Sequence, residues 1–151
     1  MNLQEELKSL KERIAELEEL AREGREFPQD GDAYWFIDDE GGMSSTFYKN
    51  YYLDIYRQKI GNIFRTEEEA EFAAKKLRVE AELRKFSRPF EYGKFNYYLL
   101  FDIDGNNFRT DVTSYCPSQG AIYFESEEKA QEAVSTVGKE RIKKYIFGLE
   151  D

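Results

Sequence analysis

The chain has 151 residues, a net charge of −9, one cysteine and no histidine. The missing histidine excludes Ser-His-Asp and Cys-His nucleophile systems and removes the commonest general base and most catalytic zinc centres. The acidity argues against generic nucleic-acid binding, because phosphate contacts need basic patches; it suits a basic partner or plain solubility.

The apolar share of 40% is enough for a core in one domain, or in two very small ones. No apolar run has the length needed to span a bilayer. The N-terminal stretch is heavily charged and lacks an apolar h-region, so no signal peptide is expected. Cys116 has no partner for an internal disulfide, and the expected setting is a reducing cytoplasm.

Residues 2–23 place Leu7, Ile14 and Ala21 at a positions of a heptad and Leu3, Leu10 and Leu17 at d. In a parallel homodimer Glu6 would face Lys11 of the second copy, and Arg13 would face Glu18. The same spacing also suits an amphipathic helix lying on its own domain. Gly24 and Pro28 end the segment.

Tyr34 to Ile37 reads as a strand, Asp39 to Gly42 as a hairpin turn and Ser45 to Tyr48 as the return strand. Asn50 to Ile60 reads as a short helix capped by Asn50 and closed by Gly61. Ile63-Phe64 is the expected third strand. Thr66 then caps a helix running to about Phe86, whose Ala70, Ala73, Leu77 and Ala81 form a small-residue face for a sheet. Ser87 to Phe95 is the connector.

The pattern then returns. Tyr98 to Asp102 lines up with Tyr34 to Asp38, and Gly105 with Gly41. Asn107 to Tyr115 is the return strand and Ala121 to Phe124 the third strand. Ser126 caps a helix from Glu127 to Val137, and a last helix spans Lys139 to Phe147. The expected architecture is α+β: an N-terminal coiled-coil helix over 1–26, then a domain over 27–151. That domain is expected to hold two related β-β-β-α units, 27–95 and 96–151, sharing one core.

Few residues carry chemistry. Asp102, Asp104 and Asn106 around Gly105 lack the spacing of a calcium loop and read as a turn. No metal site and no cofactor is expected, and no catalytic residue; a lone thiol at Cys116 without histidine is a poor nucleophile. Lys75, Lys76, Arg78, Arg84, Lys85 and Arg88 concentrate positive charge and would serve a DNA-binding reading, or else form a solvated helix face. Tyr48, Tyr51, Tyr52 and Tyr56, with Asp38, Asp39 and Glu40, are the candidate partner-binding residues. Tyrosine suits interfaces, although it also suits half-buried sheets.

Gly120 to Ala133, Arg141 to Gly148 and Gly61 to Ala73 resemble recurring phrases in a group of small proteins, of unassigned function, encoded by phages and prophages of Gram-positive bacteria. The resemblance implies an accessory gene acting in the host cytoplasm and carries over no active-site residue. The expected function is non-catalytic binding of a host protein by a homodimer. An acidic surface would occupy a basic groove and so inhibit a defence or nucleic-acid-handling system, in the manner of anti-CRISPR or anti-restriction proteins. A dimeric DNA-binding regulator and a sponge for a signalling nucleotide are the alternatives.

Overall fold

The computed structural model describes residues 2–150, with all their side chains except those of Arg22 and Glu23. The outer limits expected for the arm, at 1, and for the second unit, at 151, lie outside these residues. Among the described residues the chain is α+β, with an N-terminal helix, two small antiparallel hairpins and four further helices. No helix is long and apolar enough to cross a membrane among the residues described.

The N-terminal helix, α1, spans Leu3–Glu23. Asn2 caps it: its Oδ1 accepts the Glu5 N–H at 2.8 Å, and Glu5 Oε2 accepts the Asn2 N–H at 3.2 Å, a reciprocal box the sequence reading did not identify. Every residue from Asn2 to Ala21 is exposed. The helix therefore does not bury its seam against its own chain.

Two compact units divide the chain. The first holds residues up to Phe36 together with Ser45–Arg65; the second holds Ile37–Ser44 and everything from Thr66 onward.

Strand β1 (Ala33–Ile37) pairs with β2 (Met43–Phe47); the strand residues up to Phe36 and from Ser45 belong to the first unit, and Ile37–Ser44 groups with the second. The expected third strand at Ile63-Phe64 is a single bridge: Trp35 and Phe64 exchange both backbone bonds at 2.8 Å. The segment is too short for a ladder, because Gly61 turns in the left-handed region at φ 75° and Thr66 already caps the next helix. Helix α2 spans Tyr52–Lys59. Asn50 is not its cap, since it sits in the left-handed region at φ 59°. The carboxylate of Asp54, in the first turn, takes the Tyr51 N–H at 3.1 Å instead.

In the second unit, α3 (Glu67–Arg84) starts at Thr66, whose Oγ1 accepts the Glu69 N–H at 3.2 Å. Strands β3 (Asn96–Asp102) and β4 (Asn107–Thr113) pair antiparallel, Asn96 opposite Thr113 and Asp102 opposite Asn107. The expected third strand is again a bridge, Phe124 to Tyr97, with a further one from Tyr123 to Arg88. Helix α4 (Glu127–Val137) is capped by Ser126, and α5 (Lys139–Tyr145) follows Gly138.

Ala130, Ala133, Val134 and Val137 recur at helical spacing on α4 and meet Val79 and Leu83 of α3, Phe124, and Ile142 of α5 in a buried cluster. The small alanines let neighbouring elements approach closely. The expected apolar face of α3 is corrected here: Ala70 is buried, but Leu77 is 58% exposed and Ala81 is exposed. Val79 and Leu83, on the other side of the helix, go inward, where Ala133, Val134 and Val137 of α4 and Ile142 of α5 supply the apolar partners.

Candidate functional site

Strand alternation puts Tyr34 and Phe36 on one face of β1, and their rings lie 6.0 Å apart. Tyr34 is fully buried, and its hydroxyl donates to Asp54 Oδ1. Asp54 Oδ2 accepts the N–H groups of Lys49 and Tyr51 at 3.0 and 3.1 Å. One turn later on α2, Arg57 Nη1 donates to the Tyr34 hydroxyl at 2.9 Å, and the guanidinium stacks over the Phe36 ring at 3.7 Å. The hydrogen-bonded trio of Tyr34, Asp54 and Arg57, from a strand and a helix, thus interlocks, with Phe36 beneath the guanidinium.

Burial is the largest single influence on Asp54 and opposes its charge, but its hydrogen-bond donors outweigh that influence, with Arg57 adding attraction. Together they hold the carboxyl below the usual aspartate range. Burial, followed by the bond to Asp54, pushes the Tyr34 phenol above its ordinary value.

Above the trio lies a groove of about 660 Å³, walled by Ser45 to Phe47 of β2 on one side and by Tyr51 to Leu53 at the start of α2 on the other. Phe36, Asp54 and Arg57 also line it, as does Lys49. Phe47, Tyr51, Tyr52 and Leu53 are all well exposed, and Tyr56 meets Tyr52 edge-on at 6.2 Å. The arrangement offers aromatic surface beside one oriented cation. Among the described residues no group of three or more His, Cys, Asp or Glu is placed to hold a metal ion.

The structure brings Tyr51, Tyr52 and Tyr56 together as exposed residues of one unit. Tyr48 is corrected: it is buried, and its hydroxyl donates to Gln58 Oε1 at 2.9 Å, with Asn50 Oδ1 a more distant acceptor at 3.2 Å, so it braces the fold rather than facing a partner. Asp38, Asp39 and Glu40 belong to the hairpin tip, in the other unit. Asp38 organises that turn by accepting bonds from the Gly42 and Glu40 N–H groups and the Ser44 hydroxyl, at 2.9–3.0 Å. The Gly42 bond is the main cause that holds its carboxyl below the usual aspartate pKa.

The basic stretch does not form one face. At 100° per residue, Lys75 and Arg84 project from opposite sides of α3. Lys75 pairs with Glu71 at 2.8 Å. Arg88 is a bracing residue: it donates to Asn96 Oδ1 and to the Phe95 carbonyl, both at 2.7 Å. Lys76, Arg78, Arg84 and Lys85 are exposed. Asp102 and Asn106 shape the second hairpin turn, with Asp102 Oδ1 accepting the Gly105 N–H at 3.2 Å. Cys116 is exposed.

Sequence reading missed Asp54, Arg57 and Asn96. The spacing of Asp54 and Arg57 on one helix face, just after an extended segment, was the available signal. Asn96 carried none beyond its place at the start of a strand. No protein-family model matches the chain, and no curated protein or solved structure matches it either.

Proposed function

We propose that the chain is a non-catalytic docking protein that pairs with a second copy of itself through α1. The observation that carries this reading is the apolar seam lying open to water. Leu3, Leu7, Leu10, Ile14 and Leu17 are 49–83% exposed, and Leu20 beside them is 59% exposed. Fully burying one such side chain stabilises by about 1.5–3 kcal/mol, so an uncovered row of them favours association.

Charge selects the partner and its direction. In a parallel pair, Glu6 meets Lys11 and Arg13 meets Glu18 across the seam, each twice. An antiparallel pair that matches Leu7 with Leu17 sets Lys11 beside Lys11 and Arg13 beside Arg13. Like charges then meet at the centre. The same distribution that favours a second copy therefore favours the parallel one.

The paired chain would present its remaining surfaces twice. Its acidity, and the resemblance to phage accessory proteins, favour a basic host protein that handles nucleic acid as the macromolecule bound, with inhibition as the outcome. We also read the two hairpin-then-capped-helix segments as copies of one unit. In support, Phe64 and Phe124 each bond back to the first strand of the preceding hairpin just before a Thr or Ser cap.

Light scattering on the full chain tests the pairing, with a dimer mass expected. In a Cys116→Ser background, Ile14→Cys should cross-link to itself under oxidation, because a positions meet only in the parallel alignment. A monomeric full-length chain would sink the proposal, and an uncross-linked dimer would sink its direction.

A further inference from the structure

We propose that the groove of the first unit receives an extended acidic peptide, laid along β2 as an added strand with a carboxylate on Arg57. This goes beyond the pairing of α1 and uses a different surface.

The main chain comes first. The sheet holds only β1 and β2 among the described residues, and β1 is bridged by Phe64. The outer edge of β2 is therefore the open one. Tyr48, just past the strand, donates its N–H inward to the Asp32 carbonyl at 2.7 Å. Backbone direction alternates along a strand, so the N–H and C=O groups of Phe47 and Ser45 point outward. Those residues line the groove. An unpaired edge beside a groove is a template for strand addition, in which main-chain bonds give affinity and alternate side chains give selectivity.

Charge then fixes the character of the occupant. Asp54 is the one acid lining the groove, and Tyr34 and two backbone N–H groups already occupy its carboxylate oxygens. Lys49 and Arg57 are the cations there. Arg57 is held by its stack on Phe36 and its bond to Tyr34, and the latter uses one of its five N–H donors. Such a guanidinium is oriented before anything binds, and its planar fork matches a carboxylate. In a chain of net charge −9, this groove is a local exception. Tyr52 and Phe47 supply aromatic flanks that suit an apolar or aromatic side chain between the acids.

The test is fluorescence anisotropy of the full chain with a labelled Glu-Val-Glu-Phe-Glu peptide. Three controls accompany it: the Lys-Val-Lys-Phe-Lys counterpart, the acidic peptide N-methylated at alternate residues, and a short oligothymidylate. The acidic peptide should bind, the lysine peptide at least tenfold more weakly, and the N-methylated peptide not measurably. Arg57→Gln should weaken the acidic peptide about tenfold, and Tyr52→Ala, at an exposed position, should weaken it with the fold intact by near-ultraviolet circular dichroism. Equal binding of the methylated or lysine peptide, or Arg57-dependent binding of the oligonucleotide alone, would overturn the proposal. Light scattering on the same samples reports α1 pairing separately.

Discussion

Replacing Tyr34 by Phe removes one oxygen and leaves the ring, so it isolates the hydroxyl at the centre of the trio. Asp54 is 4% exposed and would keep two backbone donors, but it would lose its side-chain donor inside the fold. A hydrogen bond to a charged group contributes about 1.5–3 kcal/mol, so a loss of about 2 kcal/mol is expected. Arg57 also loses an acceptor, but it is partly exposed and regains water, so that term adds little. For a chain of this size, about 2 kcal/mol lowers Tm by ~4–8 °C. The single tryptophan, Trp35, lies in the first unit and is bonded to Phe64, so its fluorescence follows that unit through a urea or thermal transition. The pH dependence supplies a second readout. The folded pKa of Asp54 is depressed, so its contribution is fully present above the unfolded value of about 3.9 and is lost as pH falls through the folded value. Without the Tyr34 donor that folded value rises toward normal, and acid unfolding should begin at higher pH. A fluorescence transition shifted by less than about 0.5 kcal/mol, with an unchanged acid limb, would refute the claim that the trio holds this unit together.

Four further substitutions test the second unit and the turn that groups with it. Asn96→Ala would strand the carbonyls of Glu91, Lys94 and Thr113 and the donors of Arg88 and Glu91, so a loss of about 3 kcal/mol or more is expected by denaturant titration. Thr66→Ala and Ser126→Ala each remove a cap and should cost about 1 kcal/mol, with far-ultraviolet circular dichroism showing the helices otherwise retained. Asp38→Ala removes the acceptor of three bonds at the hairpin tip. Amide exchange at Glu40 and Gly42 should quicken, and protection there equal to the parent would contradict the role given to that carboxylate.

Local signals were readable in the sequence, and signals that depend on packing were not. The caps at Thr66 and Ser126 and the α4 limits follow from side chains and backbone a few residues apart, which sequence spacing encodes directly. The heptad of α1 is likewise a property of one helix. Asp54 reads as an ordinary acid in a first helical turn until β1 brings Tyr34 over it. Tyr48 and Tyr52 are the same residue type close in sequence, yet one is buried and the other open, because only a strand neighbour and a helix face distinguish them. The α3 face went astray for a related reason: alanine periodicity is strong along that helix, but burial follows the α4 and α5 partners that meet Val79 and Leu83, and the larger Leu77 stays open. The third strands failed on length, with a left-handed glycine and a cap closing on either side of one pairing residue, Phe64, in the first case and two, Tyr123 and Phe124, in the second.

The exposure of α1 has a consequence for how this protein responds to its own abundance. Most helical stability in proteins comes from packing an amphipathic face, and this helix draws no support from a packed face of its own chain. Beyond its Asn2 cap and the exposed Arg13–Glu16 pair, at 2.9 Å, it has little to hold it in shape. If α1 pairs as proposed, helical content should fall on dilution and recover on concentration, with the arm registering how many copies are nearby while the rest of the molecule stays as it was.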